Sequence, residues 1–281
     1  MLDDFSTFLF DGDGVLYKES EPSDGAIAFL KLLSEKGKQV FILTNNSTKT
    51  REDFKLKLKN MGIVIPIENI LTSSYLTARY MANDIPNSNI YVIGEEGLKS
   101  ELKAVGLNVL NNWKESLDED IFDFDFAKVD SLVIGMDRTL NYTKITRAVH
   151  LLQNYNHIRF IATNADFTFP TVKGLIPGGG AMIKILEELS GRKIELIIGK
   201  PEPEMYKSAV QLANSTIETT IMFGDRIETD ILGANRLGMS TCLVMTGVTQ
   251  MSDLGTLTEE TAPTIILNSL QDALTSMEKN Q

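Results

Sequence analysis

Only one cysteine, Cys242, occurs in 281 residues. No disulfide can therefore form within the chain, and its cysteine usage fits a reducing compartment. Long hydrophobic runs are missing as well: none approaches the roughly 20 apolar residues of a membrane-crossing helix. The opening residues Met1-Leu2-Asp3-Asp4 are acidic and lack the basic-then-apolar profile of a secretion signal. These absences together lead us to expect a cytoplasmic protein with no membrane partner. Basic residues are in deficit, 27 Lys and Arg against 38 Asp and Glu, for a net charge of −11. A field of that sign repels polyanions and argues against a nucleic-acid partner. A small phosphate ester can still bind where a cation and local amides reverse the field. Internal repeats and low-complexity tracts are absent too.

With 43% hydrophobic and 23% charged residues, the composition is that of an ordinary globular protein. Strand and helix patterns alternate along it, which predicts a parallel sheet covered by helices. Strands are expected at Thr7–Phe10 and Gln39–Leu43, with helices near Asp24–Glu35 and Thr50–Asn60. A cluster of turn formers, Asn83-Asp84-Ile85-Pro86-Asn87-Ser88, interrupts the pattern. A second alternation then runs through Ile90–Ile93, Leu98–Val105, Ser131–Ile134, Lys144–Tyr155 and Arg159–Ala162. It ends at Gly174-Leu175-Ile176-Pro177-Gly178-Gly179-Gly180, whose glycines suit a hinge or a close backbone approach. After it the first pattern resumes: helix Ala181–Leu189, strand Glu195–Ile198, helix Glu204–Ala213, strand Thr220–Phe223, helix Asp230–Leu237, strand Thr241–Met245, then Pro263–Leu267 and a last helix. Residues 87–176 are thus expected to form a smaller α/β domain inserted into a core of residues 1–86 and 177–281. The acidic, aromatic run Asp118–Asp125 reads as a solvated loop anchored by phenylalanines.

The chemistry concentrates in Phe8-Leu9-Phe10-Asp11-Gly12-Asp13-Gly14-Val15-Leu16. An apolar strand ends in two aspartates spaced i, i+2, at the sheet edge where α/β proteins bind ligands. Such a pair can supply a nucleophile and an acid/base, and it can hold a hard cation. An Asp-Gly turn would leave the same trace. A calcium loop is excluded, because the positions that would need oxygen ligands, glycine and glutamate hold Val15, Leu16 and Pro22. Three further strand exits carry polar residues. Thr44-Asn45-Asn46 offers a hydroxyl, amides and N–H groups to phosphate oxygens, or simply caps a helix. Lys200 is held between Gly199 and Pro201. Asp225 follows Ile221-Met222-Phe223-Gly224 and offers a third carboxylate, with Asp230 five residues on, in the first turn of a helix.

The order Asp11-x-Asp13-Gly-Val-Leu, Thr44-Asn-Asn, Lys200-Pro and Gly224-Asp225-x₄-Asp230 resembles the haloacid dehalogenase superfamily of phosphatases. The insert of about ninety residues resembles the large α/β cap of the branch that includes p-nitrophenyl phosphatases, phosphoglycolate phosphatase and NagD. Phe160-Ile161-Ala162-Thr163-Asn164-Ala165-Asp166 and Pro177-Gly178-x-Gly180 match that branch's cap and hinge pattern. The resemblance implies a Rossmann-like parallel-sheet core with an inserted cap. It also implies an Mg²⁺-dependent phosphatase of small phosphate monoesters working through an aspartyl-phosphate. In that scheme Asp11 is the nucleophile and Asp13 the acid/base. Mg²⁺ is held by Asp11, the main-chain carbonyl of Asp13 and Asp225. Thr44, Asn45, Asn46 and Lys200 bind phosphate or substrate, and Asp230 supports them. Asn164 and Asp166 face the substrate from the cap, and relatives of this kind can pair as homodimers through the cap. Phe169 stands where pyridoxal and glycolate phosphatases carry histidine, which leaves the natural ester open. A receiver domain is too short to account for the chain; a catalytically silent binding or regulatory protein of the same fold is the alternative reading.

Overall fold

The computed structural model describes residues 2–111, 120–171 and 173–279. The chain folds as two compact units, one of residues 1–44, 52–71 and 200–281 and the other of residues 45–51 and 72–199. In the first, six strands form one sheet in the order Ile265–Leu267, Ser240–Val244, Thr220–Gly224, Thr7–Phe10, Gln39–Thr44 and Ile70–Thr72. The strand that carries Asp11 lies inside this sheet and pairs in parallel with Gln39–Thr44 on one side and Thr220–Gly224 on the other. Alternation sorts the side chains. Phe8, Phe10, Val40, Ile42, Ile221 and Phe223 pack with Phe29, Leu33 and Leu274 from helices Ala26–Glu35 and Leu270–Glu278. Phe10 and Phe223 lie 4.9 Å apart between ring centroids, and Phe29 meets Phe10 edge-on at 6.1 Å. Aromatic packing thus fixes the two strands whose exits carry Asp11 and Asp225. Cys242 is fully buried in this core, where burial pushes its thiol pKa up and keeps it inert.

The second unit is built on a five-stranded sheet, ordered Leu196–Ile197, Arg159–Ala162, Ser131–Ile134, Asn89–Ile93 and Asn108–Val109, with parallel pairing throughout. Tyr91, Ile93, Leu132, Ile134 and Phe160 pack with helices Tyr142–Asn154 and Gly179–Ser190 on one face. Ile90, Val92, Val133 and Ile161 pack with Ser73–Asp84 and Glu96–Ala104 on the other. Both faces being covered explains why these strands read as unbroken apolar runs. Two segments expected in the first pattern are found here. Strand Leu196–Ile197 pairs with Arg159–Ala162 rather than entering the sheet of Asp11, and helix Gly179–Ser190 packs within this unit. The glycines after Pro177 serve close approach: a Cβ on Gly178 would lie 2.3 Å from the Asp166 carbonyl oxygen, and one on Gly180 would lie 2.3 Å from that of Ala165. Of the acidic aromatic run, Asp118 and Glu119 lie outside the described residues. In the remainder Phe126 is buried, and the Arg147 guanidinium donates to the Ile121 carbonyl at 2.8 Å.

This unit also contains an ion pair with no solvent exposure on either side chain. Lys144 Nζ donates to Asp137 Oδ2 at 2.7 Å and to Thr139 Oγ1 at 2.8 Å, while Asp137 Oδ1 accepts the Thr139 N–H at 2.8 Å. Breaking such a pair leaves a buried charge uncompensated. Lys144→Met is therefore expected to lower unfolding stability by about 3–5 kcal/mol, read as a lower urea midpoint by circular dichroism. An unchanged midpoint would mean that Asp137 reaches water.

Candidate active site

The parallel strands of the first unit end on one edge of their sheet, and Asp11, Thr44 and Asp225 follow or close three of them. Asp11 follows Thr7–Phe10 directly, and its N–H donates to the Phe223 carbonyl at 2.9 Å, tying it to the neighbouring strand. Thr44 closes Gln39–Thr44 and is buried. Asp225 follows Thr220–Gly224. Lys200 is buried in the same unit, and its ammonium group joins three elements. Nζ donates to Asp11 Oδ1, to the Leu43 carbonyl at 3.0 Å, and pairs with Asp230 Oδ1 at 2.7 Å. Burial opposes charge on this lysine, but Asp11 and Asp230 outweigh it and hold its pKa above the usual value.

Asp230 lies in a π-helical turn, Ile227–Ile231, ahead of the short helix Leu232–Asn235. Its other oxygen, Oδ2, accepts the N–H groups of Asp225 and Arg226, each at 3.2 Å. Asp230 thus links Lys200 to the loop that carries Asp225. Tyr206 secures the turn from below: its hydroxyl donates to the Thr229 carbonyl at 2.8 Å.

Carboxylate oxygens of Asp11, Asp225 and Asp230 lie within 4.8 Å of one another. Burial raises the Asp11 pKa well above the carboxylate range; the Lys200 charge pulls it back, and Asp230 and Asp225 push it up. Asp225 is pushed up to about 6, mainly by burial and then by Asp230. Its Oδ2 accepts the Val248 N–H at 2.7 Å, whereas its Oδ1 is buried without a hydrogen-bond partner. Clustered hard oxygens, excess negative charge and one orphaned acceptor fit a divalent cation. The Asp13 carboxylate stands outside this cluster and is half exposed. It accepts a hydrogen bond from the Tyr17 hydroxyl at 3.2 Å and lies 3.9 Å from Lys57 Nζ.

Asn45 and Asn46 belong to the second unit. Asn45 Nδ2 donates to Asp166 Oδ2 at 3.1 Å, and Asn164 Nδ2 donates to the Asn45 carbonyl at 2.8 Å. Asn46 Oδ1 accepts the N–H of Thr48 at 2.9 Å, a local turn just ahead of helix Arg51–Asn60. Phe169 lies in a two-stranded hairpin, Thr168–Thr171 with Gly174–Pro177, opposite Ile176.

Sequence reasoning missed the loop after Ser240–Val244. A Cβ on Gly247 would fall 1.9 Å from Asp225 Oδ2, and one on Gly14 would fall 2.4 Å from the same atom. Thr246 Oγ1 donates to the Gly14 carbonyl at 2.5 Å, closing the loop onto the segment that carries Asp13. The one available signal was a glycine, Gly247, shortly after a fourth apolar strand.

The sequence profile of the haloacid dehalogenase-like hydrolases matches residues 8–108, and a second profile, HAD-hydrolase-like, matches residues 197–273. The chain is 33% identical to an acid sugar phosphatase of Staphylococcus aureus over 275 residues, covering 98% of this chain and 99% of that one. A p-nitrophenyl phosphatase structure from Archaeoglobus fulgidus superposes with a TM-score of 0.86 at 31% identity, covering 97% of this chain and 99% of that one. A glycerol phosphate phosphatase from Mycobacterium tuberculosis, solved in complex with calcium, superposes with a TM-score of 0.83 at 26% identity, covering 96% of this chain and 75% of the other.

Proposed function

The chain belongs to the haloacid dehalogenase-like hydrolases, in the branch of the NagD-like and p-nitrophenyl phosphatases, and on that premise we propose that it hydrolyses small phosphate monoesters through an aspartyl-phosphate on Asp11. It is a phosphoric monoester hydrolase. The observation that carries the mechanism is the pairing of a three-carboxylate cluster with one buried lysine at a sheet edge.

Asp11 attacks phosphorus in line, forming the Asp11 Oδ–P bond as the ester P–O bond breaks. Asp13 gives its proton to the departing oxygen. It then takes one from the water that attacks the same phosphorus, releasing phosphate and restoring Asp11. Lys200 neutralises the equatorial phosphate oxygens beside the nucleophile, and the Thr44 hydroxyl donates to them. By resemblance alone, Asn45 and Asn46 are assigned to substrate phosphate as well. Asp230 keeps Lys200 and the Asp225 loop in register. The Asp11 and Asp225 carboxylates and the Asp13 carbonyl would hold Mg²⁺, which would supply the positive charge that lets a carboxylate approach an anionic phosphoryl group. Candidate esters are p-nitrophenyl phosphate, phosphoglycolate, and sugar or nucleotide phosphates. The test is hydrolysis of p-nitrophenyl phosphate with Mg²⁺ and with chelator. Turnover only in the presence of the cation supports the reading, and no turnover by folded protein under either condition contradicts it.

A pH dependence follows from the carboxylates. Asp225 has a folded pKa of about 6 against an ordinary 3.8. Its protonation stabilises the cation-free fold fully below the ordinary value, and that contribution is lost as pH rises through 6. A bound cation requires the ionised form, so binding displaces the proton. Below pH 6 protonation of Asp225 is expected to lower the Mg²⁺ affinity by up to about tenfold per pH unit, when followed by calorimetry. Constant affinity between pH 5 and 7 would mean that no carboxylic acid is displaced.

A further inference from the structure

We propose that Tyr17 and Lys57 are positioning residues that hold the Asp13 carboxylate for proton transfer. The inference rests on the reading of Asp13 as acid/base. Asp13 lies between the end of strand Thr7–Phe10 and the small hairpin Tyr17–Lys18 with Glu21–Pro22. Its side chain is 50% exposed, so packing alone does not select one rotamer. A proton donor that wanders contributes little, because transfer requires hydrogen-bond reach to the leaving oxygen.

Tyr17 supplies what packing does not. Its ring is fully buried and lies against Phe54, 6.3 Å between centroids, while its hydroxyl donates to Asp13 Oδ2 at 3.2 Å. The backbone brings the two residues together independently: Gly14 N–H donates to the Tyr17 carbonyl at 2.8 Å, and Asp13 and Tyr17 form an isolated bridge. Lys57, one turn after Phe54 on helix Arg51–Asn60, completes the support. Its Nζ sits 3.8 Å from the Tyr17 ring centroid and 3.9 Å from Asp13 Oδ1. That single ammonium thus braces the ring by cation–π attraction and faces the second carboxylate oxygen.

The same arrangement accounts for Gly12, the residue between the two aspartates. A Cβ there would lie 2.7 Å from the Tyr17 hydroxyl oxygen and 3.3 Å from the ring. Any larger residue at position 12 displaces the hydroxyl that reaches Asp13.

The contribution of a general acid depends on how much the leaving group needs a proton. p-Nitrophenolate departs with little help, and phenolate needs more. The test compares kcat and KM for p-nitrophenyl phosphate and phenyl phosphate across the wild type, Asp13→Asn, Tyr17→Phe, Lys57→Met and Lys57→Arg. Asp13→Asn is expected to lose more on phenyl phosphate. Tyr17→Phe follows it, losing about tenfold more on phenyl than on p-nitrophenyl phosphate, in kcat rather than KM. Lys57→Met shifts the ratio in the same direction and Lys57→Arg restores it. Lys57 keeps its side chain 26% exposed, so its variants carry the test should Tyr17→Phe fold poorly. If Asp13→Asn discriminates between the esters while Tyr17→Phe and Lys57→Met do not, the inference falls and the acid role stands. If Asp13→Asn itself does not discriminate, the acid role falls and the inference with it.

Discussion

Asp11→Asn is expected to abolish turnover, with a loss of at least about 10⁴-fold in kcat, while the protein remains folded. Asparagine keeps the shape of the side chain and removes the charged oxygen that bonds to phosphorus. Lys200 keeps its pairing with Asp230 and its hydrogen bond to the Leu43 carbonyl, so the buried ammonium is not orphaned. The substitution also relieves the cluster. Asp11 is held well above the ordinary carboxylate range by burial and by its two acidic neighbours, so its ionised form costs stability when no cation is bound. The cation-free variant is therefore expected to melt no lower than the wild type at pH 7. A variant that keeps near wild-type turnover would remove Asp11 from the chemistry. One that is inactive because it is unfolded would contradict the electrostatic account.

Gly247→Ala is also expected to be damaging, although residue 247 carries no chemistry. The added methyl carbon would lie 1.9 Å from Oδ2 and 2.4 Å from Cγ of Asp225. These atoms are buried and tethered by the Val248 N–H, so neither the carboxylate nor the loop can yield cheaply. The expected result is a loss of about 10²-fold in Mg²⁺ affinity, equivalent to about 2.7 kcal/mol, with a parallel rise in the Mg²⁺ concentration needed for half-maximal rate. Gly255→Ala is the control, because a Cβ there meets no atom within 4 Å. Equal, small effects at both positions would show that the Thr246–Thr249 loop does not fix Asp225.

The strand exits that carry Asp11 and Asp225 were legible because a buried parallel strand is an apolar run with an abrupt polar end, and Thr7–Phe10 and Thr220–Gly224 are entirely buried. The same property misled the reading at Leu196–Ile197. Apolar residues declare burial but not the sheet that buries them, and among the described residues this edge strand pairs only with Arg159–Ala162 of the second sheet. Helix Ser73–Asp84 escaped because its first residues, Ser-Ser-Tyr-Leu-Thr, favour a helix weakly. The Thr72 side-chain cap on the Tyr75 N–H, at 3.1 Å, and the packing of Ala78 and Met81 make up the deficit. Asp230 was read as a first-turn acid of a helix, which fits many sequences equally well. The π-helical turn that aims it at the Asp225 and Arg226 N–H groups has no periodic signature. The Asp13 support was illegible for a different reason: Gly12, Tyr17 and Lys57 matter through mutual distances that no local pattern encodes.

The most direct test of the central claim is to trap the covalent intermediate. Enzyme, Mg²⁺ and a monoester labelled in its phosphoryl group are mixed, quenched in acid within one turnover, and the protein is digested and mapped. Label is expected on Asp11, released by hydroxylamine and absent from Asp11→Asn. Phosphate released at the full rate with no label on the protein at any time would mean that water attacks the ester directly, and the nucleophilic role of Asp11 would be wrong.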